Sequence, residues 1–170
     1  ADLLLEKKRQ GKRIRIVGDY DIDGVCSTYL LYKGLKRLGA AVDYEIPDRI
    51  KDGYGINIQI VEAAAEDNID TILTCDNGIS AIDQMKRARE LGMTVIVTDH
   101  HDIAKVGEED VLPEADAIVN PKQSADTYPW KEICGGMVAY KLIQILYEKA
   151  GIDREEWLAM IEFAAIATVG

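Results

Sequence analysis

Short apolar runs alternate along the chain with segments in which apolar residues recur every three or four positions. The β-branched runs predict five strands, at residues 13–17, 42–46, 71–75, 94–98 and 117–119. Helical spacing predicts six helices, at residues 3–10, 25–38, 58–66, 81–91, 136–147 and 155–168. Strands that alternate with helices of this length form parallel sheets. We therefore predict an α/β fold: a doubly wound, mostly parallel five-stranded sheet with helices on both faces.

The composition is that of an ordinary globular domain. The 170 residues are 48% hydrophobic, which suits one domain with a sizeable core. Cys26, Cys75 and Cys134 are scattered, and no signal peptide is visible, so reduced thiols and a cytoplasmic location are expected. No apolar run approaches the ~18 residues of a membrane span, so no membrane association is expected. The acidic residues 105–114 are expected to form a mobile surface loop.

The formal net charge of −10 is unfavourable for contact with a phosphate backbone, because nucleic-acid affinity comes largely from Lys and Arg. Acidic residues serve the opposite purpose where they hold metal ions that face phosphate. Three predicted strands end in such groups: Asp19, Asp21 and Asp23 after the first, Asp76 after the third, and Asp99, His100 and His101 after the fourth. Ligands of parallel sheets bind beyond the carboxyl ends of the strands, so these groups meet if the strands are neighbours.

Each cluster also has a purely structural interpretation. A helix dipole favours one or two acids in the segment 19–23, whereas three carboxylates within five residues indicate hard cations such as Mg²⁺ or Mn²⁺. Asp76, which precedes Asn-Gly, is also typical of a turn that caps a helix. The chain's two histidines stand side by side after Asp99, which a surface turn explains poorly. Together the clusters supply enough ligands for two ions that activate water against phosphate.

The segments VGDYDIDG, CDNG and TDHH resemble, in this order and spacing, the first three motifs of the DHH phosphoesterases. The loop PDRIKDGYG and the segment ICGGMVAYKL resemble further stretches of the family members that degrade single-stranded DNA. The resemblance extends from about residue 13 to residue 170. It implies a metal-dependent phosphodiesterase domain that uses two Mn²⁺ ions, with Mg²⁺ as an alternative ion.

The resemblance also implies a role for each residue of the clusters. The implied metal ligands are Asp21, Asp23, Asp76 and His100, with Asp76 bridging the two ions. The implied catalytic residues are His101 beside the substrate phosphate and the supporting residues Asp19 and Asp99. The residues themselves suggest a substrate-binding loop, Arg49, Lys51 and Tyr54, which would grip phosphate and stack a base unless it is simply a solvated loop.

By this resemblance the protein is expected to be a 5′-to-3′ exonuclease that acts on single-stranded DNA in repair and recombination. The family has a fourth motif with another ligand aspartate and a C-terminal substrate-binding domain. We expect residues 1–170 to be a phosphoesterase domain truncated before that motif, without the C-terminal domain, and inactive or weakly active alone. The sequence does not indicate partner proteins or an oligomeric state.

Three alternatives stay open. One is a small-oligonucleotide phosphodiesterase of the same family. Another is an inorganic pyrophosphatase, although those family members carry a histidine four residues before the first ligand aspartate, where this chain has Val17. The third is a non-catalytic scaffold, which the intact set of ligands disfavours.

Overall fold

A computed structural model describes residues 1–50 and 53–170 of the chain. Its strands are β1 (Arg13–Val17), β2 (Ala41–Glu45), β3 (Thr71–Cys75), β4 (Thr94–Thr98), β5 (Lys105–Val106), β6 (Glu109–Asp110) and β7 (Ala117–Val119). Five of them form a parallel sheet in the order β2-β1-β3-β4-β7, and β5 and β6 form a separate antiparallel hairpin. The predicted five-stranded parallel sheet is therefore confirmed.

The helices lie on both faces of this sheet, as predicted. They are α1 (Asp2–Arg9), α2 (Ile22–Arg37), α3 (Ile58–Glu66), α4 (Ile82–Glu90), α5 (Gly135–Ala150), α6 (Arg154–Leu158) and α7 (Ile161–Val169). Successive side chains of a strand point to opposite faces. In β1, Ile14 and Ile16 accordingly pack into the core beneath α2 and α5, whereas Val17 packs into the core beneath α3 and α4.

The order of the strands places a switch point at the carboxyl ends of β1 and β3. From β1 the chain crosses to β2 on one side, and it then returns to β3 on the other side of β1. The connections on the two sides diverge there, which opens the crevice in which α/β sheets bind ligands. Because β4 is the next strand along, the segments that follow β1, β3 and β4 share one edge of the sheet.

Two sequence-based expectations were wrong. The helix predicted at residues 155–168 is interrupted between α6 and α7, where Met160 N–H donates to Trp157 O and Phe163 N–H donates to Met160 O. These i→i+3 bonds tighten the turn while Trp157 and Met160 are both buried in the same core. The acidic segment 105–114, expected to be a mobile surface loop, contains the β5–β6 hairpin, and Asp110 accepts hydrogen bonds from the backbone and the hydroxyl of Ser124.

None of the helices within residues 1–50 and 53–170 has the length and apolar character needed to cross a lipid bilayer.

The contact between α2 and α5 generates a stability prediction. A Cβ atom at Gly34 would overlap the buried side chain of Ile143. Gly34→Val should therefore lower the free energy of unfolding by about 1–3 kcal/mol through overpacking, and Ile143→Ala should lower it by about 2–5 kcal/mol through a cavity. In urea denaturation the double variant should lose less free energy of unfolding than the two single variants lose together. Additive losses, within about 0.5 kcal/mol, would contradict this account of the interface.

Candidate metal centre

The turn from β1 into α2 presents three aspartates at the edge of the sheet. Asp21 is the N-cap of α2 and its Oδ1 accepts the backbone N–H of Gly24 at 2.8 Å. A side chain at position 24 would come within 2.6 Å of the carbonyl oxygen of Asp19, so the tight turn requires glycine there. Asp19 is fully buried beneath the turn, and burial raises the pKa of its carboxyl.

Asp76 follows β3 with a backbone conformation that is rare for a residue with a side chain. Its φ of 59° lies in the left-handed region, and the residue is buried. Strained backbone of this kind persists where the surroundings impose it, and it concentrates at functional sites. The neighbouring Asn77 holds the position, because its amide donates to Val17 O at 3.1 Å and to Cys75 O at 2.9 Å. Asn77 thereby ties the carboxyl ends of β1 and β3 together.

His100 connects all three clusters. Its Nε2 lies 3.0 Å from Oδ1 of Asp76 and 3.5 Å from Oδ2 of Asp23. The contact with Asp76 raises the pKa of the imidazole, although partial burial opposes that rise. The convergence of the segments after β1, β3 and β4, which the sequence predicted, is confirmed by these distances.

His101 points in a different direction and is held by Asp99. Oδ1 of Asp99 lies 2.7 Å from Nδ1 of His101, and its Oδ2 accepts the backbone N–H of Ile79 at 2.9 Å. Burial alone would raise the pKa of Asp99, but these bonds hold it below its ordinary value, and the pKa of His101 is raised. An ionised carboxylate only accepts, so Nδ1 of His101 carries a proton and Nε2 faces the hydroxyl of Tyr54 at 3.0 Å.

The predicted substrate-binding loop borders this histidine. The ring of Tyr54 packs edge-on against those of His101 and Tyr20, and the guanidinium of Arg49 lies 5.5 Å from the centre of the Tyr20 ring. Lys51, the third residue of the predicted loop, lies outside the described residues. Arg49 and Tyr54 therefore belong to the surroundings of His101.

A cavity of about 340 Å³ opens beside His101, between Tyr54 and the start of α4. Its lining includes Asn77, Ser80 and Gln84. The volume is at the lower end of the roughly 300–1,000 Å³ typical of small-molecule sites. Space for a compact polar ligand therefore exists next to the histidine pair.

Two groups of three side chains could each hold a metal ion, because the ligand atoms within each group all lie within 4.8 Å of one another. The first group is Asp19, Asp21 and Asp76, and the second is Asp76, His100 and His101. Asp76 belongs to both groups, a position that suits a bridging ligand. Asp23 belongs to neither of these groups, and both of its oxygens accept backbone N–H groups, from Gly135 and Gly136. The roles assigned to the individual residues from the sequence therefore stay predictions, and the geometry adds Asp19 and His101 as candidate ligands.

The charge of the cluster is incompletely compensated by the described residues. Oδ1 of Asp76 and Oδ2 of Asp19 are buried, and no donor within residues 1–50 and 53–170 is aligned with either as a hydrogen bond. Burial, together with the charge of Asp23, raises the pKa of Asp76 to about 6 against the favourable contact with His100. Closely spaced carboxylate oxygens without donors are the surroundings that a hard divalent cation stabilises. The side chains present fit such an ion.

The raised pKa of Asp76 leads to a test on the metal-free protein. A carboxyl whose pKa rises from 3.8 to about 6 on folding destabilises the folded state above about pH 6, and this effect disappears towards pH 4. Asp76→Asn should therefore raise the free energy of unfolding at pH 8 with chelator by on the order of 1–3 kcal/mol. Urea denaturation at pH 8 and pH 4 measures the difference.

The matched control is Asp83→Asn, which makes the same chemical change at an exposed position of α4. It should alter the stability by less than about 0.5 kcal/mol at both pH values. A loss of stability in Asp76→Asn at pH 8 would show that the Asp76 carboxylate is already well compensated in the absence of metal.

Proteins of known sequence are similar to this chain over nearly its whole length. The single-stranded-DNA-specific exonuclease RecJ of Bacillus subtilis is 43% identical over 169 residues, which are 99% of this chain and 20% of the relative. RecJ of Escherichia coli is 40% identical over 179 residues, 99% of this chain and 30% of the relative. The chain thus spans less than a third of the length of either curated relative.

Solved structures match the fold equally well. A crystal structure of exonuclease RecJ bound to manganese superposes with a TM-score of 0.87 at 38% identity, covering 99% of this chain and 41% of that one. RecJ of Thermus thermophilus in complex with Mn²⁺ gives a TM-score of 0.78 at 34% identity, covering 98% of this chain and 22% of that one. The profile of the DHH family, N-terminal domain, matches residues 13–170. The chain therefore belongs to the DHH family.

Proposed function

We propose that this chain provides the N-terminal, metal-binding part of an exonuclease of the RecJ type, which removes nucleotides from the 5′ end of single-stranded DNA during repair and recombination. The position of Asp76 is the observation that carries the proposal. Its carboxylate belongs to both groups of converging ligand atoms. A carboxylate shared between two ions about 3.5–4 Å apart is characteristic of enzymes that hydrolyse phosphodiesters.

Relatives of this kind are three to five times longer than the chain, so we propose that the complete activity needs further parts. We infer that a fourth motif with another ligand aspartate and a C-terminal substrate-binding domain complete the site. The net charge of −10 supports this division of labour, because affinity for a long strand of nucleic acid comes largely from Lys and Arg. We further propose that the protein acts in the cytoplasm.

In the proposed site, Asp21, Asp23, Asp76 and His100 hold two Mn²⁺ ions, or Mg²⁺ in their place. Bound ions of this kind lower the pKa of the attacking water and neutralise the phosphoryl oxygens. Asp19, buried below Asp21, supports the turn and adds negative charge that favours cation binding. Imidazole among the ligands favours Mn²⁺ more than an all-oxygen set does.

His101 is proposed to face the substrate phosphate. Its raised pKa favours the charged imidazolium, which stabilises a phosphoryl oxygen or donates a proton to the leaving oxygen. Asp99 fixes the orientation of the ring through Nδ1 and therefore leaves Nε2 for the substrate. In the substrate-free arrangement Nε2 faces the hydroxyl of Tyr54, which a phosphate would displace or join.

Arg49, Lys51 and Tyr54 are proposed to bind the strand next to the scissile bond. The packing of Arg49 over Tyr20 and of Tyr54 against His101 supports this role, since it brings a cation and an aromatic face close to the proposed metal site. Stacking on an aromatic ring contributes about 1–3 kcal/mol per base without reading its identity. Such contacts suit an enzyme that accepts any sequence.

The small-oligonucleotide phosphodiesterase is the second candidate function, because the cavity of about 340 Å³ beside His101 has a volume suited to a short ligand. Its chemistry would be the same and its substrate length would differ. Hydrolysis rates on a dinucleotide and on a long single strand therefore separate the two.

Asp76→Asn in the full-length protein should reduce the hydrolysis of 5′-labelled single-stranded DNA by at least about 10³-fold, because both groups of ligands lose a negative charge. The same loss should follow from removal of divalent ions with chelator, and Mn²⁺ should restore the wild type only. Asp83→Asn is the control and should retain full activity. Retained activity in Asp76→Asn would refute the shared-carboxylate mechanism, whose rate enhancement depends on stabilisation of the developing charge.

Arg49→Ala in the full-length protein should raise KM for single-stranded DNA about 10–100-fold, as expected for the loss of one charge-assisted contact with phosphate. The change in kcat should be smaller, because Arg49 does not contact the candidate ligands. Arg9→Ala, which removes an exposed arginine from α1, is the matched control. An unchanged KM would rule out contact between Arg49 and the substrate.

A further inference from the structure

The start of α5 contacts the candidate metal centre directly. Backbone N–H of Gly135 donates to Oδ2 of Asp23 at 2.8 Å, and backbone N–H of Gly136 donates to Oδ1 of the same carboxylate at 2.6 Å. Both oxygens of Asp23 are therefore oriented by a segment more than 100 residues further along the chain. The carboxylate also lies 3.5 Å from His100, within the cluster described above.

These bonds cap the start of α5, a role that a residue next to the helix usually fills. The first N–H groups of a helix need acceptors, which the side chain of the N-cap residue usually supplies. The N-cap of α5 is Cys134, whose side chain makes no capping hydrogen bond. Asp23 from α2 supplies the missing acceptor, so one carboxylate both caps α5 and lies in the metal cluster. The positive end of a helix of 16 residues also offsets part of the negative charge there.

Gly135 has a second, steric relation to the centre. A Cβ atom at this position would lie 2.5 Å from Oδ1 of Asp76 and 2.8 Å from its Cβ and Cγ. The space that a side chain would occupy is thus taken by the Asp76 carboxylate. Asp76 cannot move away easily, because its backbone is held in the left-handed region and the adjacent Asn77 is bonded to the ends of β1 and β3.

We propose that the glycine pair Gly135–Gly136 is the positioning element of the metal centre: its N–H groups set the orientation of Asp23, and the bare backbone at Gly135 sets the position of Asp76. This inference rests on the proposed metal site. It assigns to the pair a role that acts through the ligands, and the glycines themselves contact neither ion nor substrate.

Gly135→Ala tests the steric part. The variant should bind Mn²⁺ about 10–100-fold more weakly, as is usual when groups that orient metal ligands are changed. Calorimetry gives the dissociation constant, and the electron paramagnetic resonance spectrum of bound Mn²⁺ should report an altered ligand geometry. Both are measured well below the thermal midpoint of each variant.

Gly34→Ala is the matched control, because it introduces the same methyl group at the contact between α2 and α5, against Ile143 and away from the site. It should lower the thermal midpoint yet leave the Mn²⁺ dissociation constant within about twofold, since packing changes far from a site are energetically independent of it. Wild-type affinity in Gly135→Ala, or an equal loss in both variants, would overturn the positioning role. Failure of the wild type to bind Mn²⁺ would instead refute the proposed function.

Amide hydrogen exchange tests the Asp23 contact without altering either glycine. In Asp23→Asn one N–H of the pair loses its acceptor, so exchange at either Gly135 or Gly136 should accelerate about 10–100-fold, the effect of one charge-assisted hydrogen bond. Asp21→Asn, a neighbouring change that retains a good N-cap for α2, should leave their exchange unchanged. Equal exchange in the two variants would show that Asp23 does not hold α5, and would overturn the proposal.

Discussion

Mutual repulsion among carboxylates is the constraint on which the rest of this domain depends. Five aspartates converge at one edge of a parallel sheet, and two of them retain buried oxygens for which residues 1–50 and 53–170 provide no aligned donor. Every structural device around them offsets some of that charge. The N-termini of α2 and α5 point towards the cluster, and two imidazoles and the backbone N–H of Ile79 contribute further favourable contacts. The negative charge that these contacts leave uncompensated is seen in the raised pKa of Asp76.

The concentration of charge lies at the end of a sheet whose two faces pack into hydrophobic cores. Apolar side chains of β1, β3 and β4 alternate between these cores, and the strands also bury polar side chains such as Arg15, which pairs with Asp43. The centre is therefore built on the ends of packed strands, whereas Arg49 and Tyr54 lie on a connecting loop. Candidate ligands on packed elements are held more precisely than ligands on loops would be.

The sequence was sufficient to predict the sheet and the convergence of its acidic ends. Residues 71–75, 94–98 and 117–119 are β-branched runs between turn residues, and strands of that kind are recognisable locally. What escaped prediction depends on contacts between distant segments. The sequence indicated only an ordinary turn residue at Asn77, because its bonds to Val17 and Cys75 exist only once two strands are side by side. The break between α6 and α7 likewise follows from burial of Trp157 and Met160, which no local pattern reveals.

The pairing of Asp23 with the start of α5 also has a consequence during protein synthesis. Asp23 and Gly136 are separated by 113 positions, so a ribosome must deliver most of the domain before the carboxylate meets its backbone partners. Contacts between such distant segments form late in folding, because the intervening chain must first lose its conformational entropy. A nascent chain that has emerged only as far as His101 would contain all of the acidic segments without α5, whose first N–H groups bond to Asp23. The contacts of the centre are therefore complete only after the segment that begins α5 has folded against α2.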